Sequence, residues 1–158
     1  MRRVTGRRLL AAALAGLFAA GPAAAAQRTY IVTDYDTLRL EAPIAVSVQT
    51  GRGVAARGEG DPDMLDRVDL DVSAHVLTIR LKPSPFEGSR RAAGGVVRLV
   101  LTVPALRRIS VSGAGTLQAT GMDRAGGEIV AAGSGAVSVN GIASDRLSVS
   151  QFGAGTVT

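Results

Sequence analysis

Cysteine and tryptophan are missing from all 158 residues, and histidine occurs once, at His75. Without cysteine no disulfide can staple the chain, and no lipid can be attached through a cysteine at a processed N-terminus. A thiolate zinc site is excluded, and one histidine supplies no pair of imidazole ligands, so zinc is ruled out. Aromatic residues make up 3% of the chain. Beyond residue 26 they are Tyr30, Tyr35, Phe86 and Phe152, too few and too scattered for a platform on which sugar rings stack. Any glycan contact would have to be shallow and polar.

The N-terminus is patterned in three parts. Arg2, Arg3, Arg7 and Arg8 form a basic start, Leu9 to Ala20 an apolar run of 12 residues, and Gly21-Pro22 a break before Ala24-Ala25-Ala26. This arrangement predicts a signal peptide over residues 1–26, cleaved between Ala26 and Gln27. The apolar run is too short for a spanning helix, which needs about 20 residues. Four of the 18 basic residues leave with the signal, so 14 face 13 acidic ones and the mature net charge is +1. A balanced chain with no basic stripe lacks the electrostatic footprint of a nucleic-acid binder. The expected location is the periplasm, the cell surface or the exterior.

What the mature chain has in quantity is glycine, and at its C-terminal end the glycines are periodic. Ser112-Gly113-Ala114-Gly115-Thr116-Leu117 recurs as Ala132-Gly133-Ser134-Gly135-Ala136-Val137 and as Phe152-Gly153-Ala154-Gly155-Thr156-Val157, with first glycines 20 residues apart. A fixed period of this size predicts coils that stack because none can bury its apolar face alone. Alignment places Leu117, Val137 and Val157 in one inward column and Ala119 over Val139. It also places Gly121 over Gly141, Met122 over Ile142 and Ile129 over Val149. Gln118, Ser138, Thr120 and Asn140 alternate with these and should face solvent. The fold expected is all-β, a right-handed parallel β-helix or β-solenoid with coils of about 20 residues in the C-terminal part.

Residues 27 to 104 read as short strands joined by polar turns. Thr37–Leu40, Ile44–Val48, Val68–Val72, Val76–Leu81 and Val96–Val103 carry the strand pattern, and Ser73-Ala74-His75 suggests a hairpin or a sharp arc. Pro62 to Arg67 suits one helical turn, and Lys82 to Gly95, rich in proline and glycine, is irregular.

Motifs for chemistry are weak. The glycine pairs lack G-x-x-x-x-G-K-[ST] and a following helix, so they read as turns, not phosphate loops. Ser134 lies in G-S-G, not in a G-x-S-x-G elbow, and His75 falls in a turn, so no nucleophilic triad is assembled. The group Asp61, Asp63, Asp66, Asp69 and Asp71 is the best candidate for calcium or for a glycosidase carboxylate pair. It lacks the D-x-[DN]-x-[DN]-G loop, however, and Asp69 and Asp71 alternate with apolar residues as an ordinary outward face. No catalytic, cofactor-binding or metal-ligating residue is assigned, and no cofactor is expected.

Tyr30 to Asp36, V-S-V-Q-T-G at 46–51, L-D-R-V-D-L-D-V at 65–72, L-T-I-R at 77–80 and V-P-A-L-R-R-I-S-V-S-G-A-G at 103–115 together resemble the bacterial head GIN domain family, whose members are autotransporter-adhesin-like. The resemblance spans nearly all of residues 27–158. It implies an exported, right-handed, mostly parallel β-helix with no assigned enzymatic activity and no catalytic residues to carry over. Such domains continue for further coils, so the chain is expected to be truncated at its C-terminal end, as a single domain over 27–158. The function expected is a non-catalytic module of the envelope or surface, binding or scaffolding like an adhesin. An envelope-stress sensor and a β-helix enzyme acting on polysaccharide are the alternatives. The expected partners are an envelope protein or a surface glycan, and the uncharged final strands form an edge expected to associate with a second copy.

Overall fold

A computed structural model describes residues 25–83, 96–123 and 125–158. The predicted signal peptide up to residue 24, and the predicted irregular stretch from residue 84 to 95, lie outside the described residues. In chain order the elements are β1 (Ala26–Tyr30), β2 (Thr37–Leu40), β3 (Ala45–Thr50), β4 (Ala55–Gly60), α1 (Pro62–Arg67), β5 (Val68–Ser73), β6 (Val76–Leu81), β7 (Val97–Val103), β8 (Arg108–Gly113), β9 (Thr116–Thr120), β10 (Gly127–Gly133), β11 (Ala136–Asn140), β12 (Leu147–Phe152) and β13 (Thr156–Val157).

These strands make two sheets that share one core. The first runs β1-β4-β7-β3-β9-β11-β13 and the second β12-β10-β8-β2-β6-β5. Alternation decides which side chains enter the core, because successive residues of a strand point to opposite faces. Leu38, Leu40, Leu77, Ile79, Ile109 and Ile129 point inward from the second sheet. Val48, Leu99, Leu101, Leu117 and Val137 meet them from the first, and all are essentially fully buried.

The 20-residue period survives as register. Gly113 pairs with Gly133, Ile109 with Ile129 and Ile129 with Val149 in the second sheet, while Leu117 pairs with Val137 and Val137 with Val157 in the first. The two glycines of each corner serve different needs. Gly113, Gly133 and Gly153 have φ of 99, 112 and 114, a region that L side chains avoid. Gly115, Gly135 and Gly155 are required by contact: a Cβ on Gly115 would stand 2.5 Å from the Ala42 carbonyl oxygen, and the next two would press on the corner before them. Corner-to-corner hydrogen bonds, such as Ser134 N to Gly113 O at 3.0 Å and Gly155 N to Gly133 O at 2.9 Å, complete the stack.

The right-handed parallel β-helix expected from this period is not what the chain forms. The fold is an open, two-sheet, mixed parallel and antiparallel arrangement. β1–β4, β4–β7 and β5–β6 are antiparallel, and the sheets do not close. The cause lies in the N-terminal half, where the period is absent and tight turns fold strands back. β5 and β6 are joined by two residues, Ala74 and His75, with φ of 49 and 63. Positive φ at both central positions gives the hairpin geometry that matches strand twist. The order is also non-sequential: β2 lies between β6 and β8, and β3 between β7 and β9.

Val149 was expected to be an inward residue of its column. It keeps the register with Ile129 but is 48% exposed, because β12 is the edge strand of its sheet.

Candidate functional site

The acidic group of the sequence is dispersed by the fold. Asp61 caps α1, its Oδ1 accepting from Asp63 N at 2.9 Å and Met64 N at 3.2 Å, and Pro62 follows at the first helical position. Asp66 pairs with Arg28, and Asp69 pairs with Lys82 Nζ at 3.2 Å. Asp71 is exposed on the outward face of β5. Among the described residues no three of histidine, aspartate or glutamate approach closely enough to hold a metal. His75 is exposed in its hairpin turn, where its carbonyl accepts from Asp36 N at 3.1 Å and Thr37 N at 3.2 Å. Ser134 is exposed in a corner, away from any imidazole.

Two surfaces remain as candidates, and the first is a lattice on the outer face of the first sheet. Register aligns Ser47, Gln118 and Ser138 in one row and Gln49, Thr120 and Asn140 in a second. A third row runs Ala45, Thr116, Ala136 and Thr156. Adjacent strands lie about 4.8 Å apart, and alternate residues along a strand about 6.7 Å apart. The result from β3 to β13 is a grid of hydroxyls and amides, interrupted by Ala45 and Ala136, with no charged residue. Charge returns only toward the other end of the sheet, with Arg98 on β7 and Arg57 and Glu59 on β4.

The second is a groove of about 460 Å³ at the beginnings of the second sheet's strands, lined by Asp36, Thr37, Arg107, Arg108, Gly126, Gly127, Glu128, Arg146 and Ser148. Its origin is a gap in the side chains. Register places Thr37, Arg108, Glu128 and Ser148 in one row across β2, β8, β10 and β12. Two residues earlier on the same face stands Gly126, without a side chain, flanked by Arg107 before β8 and Arg146 before β12, while Gly127 faces inward, where a Cβ would meet Met122 and Leu147. Arg107 Nε bonds Asp123 Oδ2 at 2.8 Å, and Arg108 engages Glu128 Oε2 through Nε at 2.8 Å. The hydrogen bond to Asp123, then the charges of Asp123 and Asp36, hold the Arg107 guanidinium further above its ordinary basicity. Arg146 has no ion-pair partner among the described residues. The sequence reading missed this groove, although Arg108 and Glu128 stand one 20-residue period apart with opposite charge.

Residues 34–158 match the family described as "Putative auto-transporter adhesin, head GIN domain". No curated protein matches the sequence. Among solved structures, a "putative adhesin" from Parabacteroides merdae superposes with a TM-score of 0.63 at 14% identity, covering 83% of this chain and 54% of that one. A "putative lipid binding protein" from Parabacteroides distasonis gives 0.55 at 19% identity, covering 83% and 64%. At such identities the likeness is one of fold. This chain spans little more than half the length of the first of these structures and under two thirds of the second.

Proposed function

This chain belongs to the head GIN domain family, and on that premise we propose that it is an exported, non-catalytic module of the cell envelope or surface that binds a neutral polysaccharide as an adhesin does. The observation that carries the reading is the uncharged lattice on the first sheet. A hydroxyl or amide both donates and accepts, as does every hydroxyl of a sugar, so a regular grid of such groups suits a regular polyhydroxyl surface. Absence of charge on β3, β9, β11 and β13 gives no attraction for an anionic lipid or a nucleic acid. The ladder beneath the grid fixes the spacing of its rows, so contact orders side-chain rotamers but no backbone. No helix among the described residues is long and apolar enough to cross a membrane, and the family is named for adhesins.

Retention of the purified protein on microcrystalline cellulose tests the binding half. Wild type should be retained, and Gln118→Glu combined with Ser138→Asp, which puts two carboxylates at the centre of the lattice, should release it. Equal retention of the two proteins, or none by wild type, refutes the lattice as a binding face. Fractionation of a tagged full-length protein, with protease added to intact cells, tests export and separates periplasm from surface.

A further inference from the structure

We propose that the groove rimmed by Arg107, Arg108 and Arg146 is a second binding site, independent of the lattice, for an acidic saccharide whose carboxylate seats on Arg146. Its volume of about 460 Å³ lies within the usual span of small-ligand sites, about 300–1,000 Å³. The row Thr37, Arg108, Glu128 and Ser148 crosses three interstrand steps, about 14 Å at about 4.8 Å each. That is longer than a single sugar ring. Gly126 and Gly127 contribute only backbone to the lining, so a ring can lie against that stretch without meeting a side chain of theirs.

The charges select the ligand. Arg107 and Arg108 are already paired with Asp123 and Glu128, which takes up part of their charge. Arg146 is the cation of the groove without an ion-pair partner among the described residues. A bare anion reaching it would pass Asp36 and Glu128, both on the lining. A wholly neutral chain would leave the Arg146 fork without its matching oxyanion. A saccharide that carries a carboxylate satisfies both: its hydroxyls donate to Asp36, to Glu128 and to Thr37 Oγ1, whose own proton is given to Asp36 Oδ1 at 2.9 Å, and they accept from Ser148. Its planar carboxylate then takes the two parallel N–H groups of Arg146. Such recognition needs no aromatic platform, which fits a chain with so few rings.

Calorimetric titration of the mature protein with hexagalacturonate, maltohexaose and inorganic phosphate tests the assignment. Hexagalacturonate should bind; maltohexaose, which lacks the charge-assisted bond to Arg146, and phosphate, which lacks the sugar hydroxyls that meet Asp36 and Glu128, should each bind at least about tenfold more weakly. Arg146→Gln should weaken hexagalacturonate by about tenfold or more, and Arg146→Lys, which keeps the charge and loses the fork, should fall between. Arg57→Gln removes the same charge from the far end of the first sheet and should change nothing. Equal binding of maltohexaose overturns the role of the carboxylate, and equal binding of phosphate overturns the saccharide. Equal losses from Arg57→Gln and Arg146→Gln would reduce the effect to net charge and refute the site. Melting curves verify that each variant is folded. Failure of retention on cellulose would leave this site standing, because the two surfaces lie on different sheets.

Discussion

A Cβ placed on Gly135 would stand within 3.0 Å of the Gly115 carbonyl oxygen, a separation that real Cβ atoms do not show, whereas one placed on Gly113 would meet nothing within 4 Å. The first clash is with backbone that is itself hydrogen-bonded to Ala136 N at 3.1 Å, so neither side can retreat cheaply. Gly135→Ala should therefore cost about 3 kcal/mol. Gly113→Ala suffers only from its φ and should cost about 1–2 kcal/mol. Urea unfolding of the two variants gives the comparison, and equal losses would show that φ alone explains both glycines.

Strand phase predicts a sharper contrast one corner later. Val137 is 1% exposed, while Ser138 belongs to the outer lattice. Val137→Asp buries a carboxylate without a partner and should cost about 4 kcal/mol or more. Ser138→Asp should stay within about 0.5 kcal/mol of wild type. Comparable thermal destabilisation by the two would contradict the assigned faces.

Tyr35 is fully buried and its hydroxyl finds no hydrogen-bond partner among the described residues. Tyr35→Phe removes the unsatisfied group and leaves the packing, so stability should rise by about 1 kcal/mol at neutral pH. Burial, and secondarily the charge of Asp34, pushes the phenol well above its ordinary value of 10.0. Above pH 10 the unfolded chain ionises this group and the folded chain does not. Stability should therefore fall as pH rises past 10, and the advantage of Tyr35→Phe should widen there. Chemical denaturation at pH 8 and pH 11 reads both effects, and a constant difference would place the hydroxyl in contact with water.

The β5–β6 turn holds two non-glycine residues at positive φ, Ala74 and His75. Asparagine and glycine suit these positions far better. The double change Ala74→Asn, His75→Gly should raise stability by about 1 kcal/mol, since only the His75 carbonyl, not its exposed side chain, bonds to Asp36 and Thr37. A fall in melting temperature would show that the His75 ring contributes contacts of its own.

Leu147, Val149 and Phe152 are 40%, 48% and 65% exposed along the edge strand β12. An uncharged open edge invites pairing, so a polypeptide of residues 27–158 should associate as its concentration rises, and Val149→Lys should suppress this. Light scattering on both proteins decides the matter, and a monomeric wild type would remove self-association through this edge.

Period and alternation made much of the fold legible. Thr37–Leu40 and Val76–Leu81 are strands where the apolar-polar pattern places them, Pro62–Arg67 forms the single helical turn that stretch suited, and Gly113 stacks on Gly133 as the 20-residue period requires. Local sequence is sufficient there because capping, alternation and corner sterics act over a few residues. β4 was not legible, since Ala-Ala-Arg-Gly-Glu-Gly has little strand propensity. It is a strand because Gly58 lets Leu65, Tyr30 and Leu99 close over it, and because β1 and β7 bond to its two edges.

By itself the sequence determined an all-β chain, most of its inward columns and the polar character of the outer lattice. These follow from periodicities carried within a strand or between neighbouring coils. Only the tertiary structure decided that β2 and β3 lie between elements far from them in sequence, that antiparallel strands extend both sheets, and that Arg107, Arg108 and Arg146 converge around Gly126 and Gly127. Pairing across a sheet depends on which edges remain free once the other strands have docked. No local pattern encodes that competition.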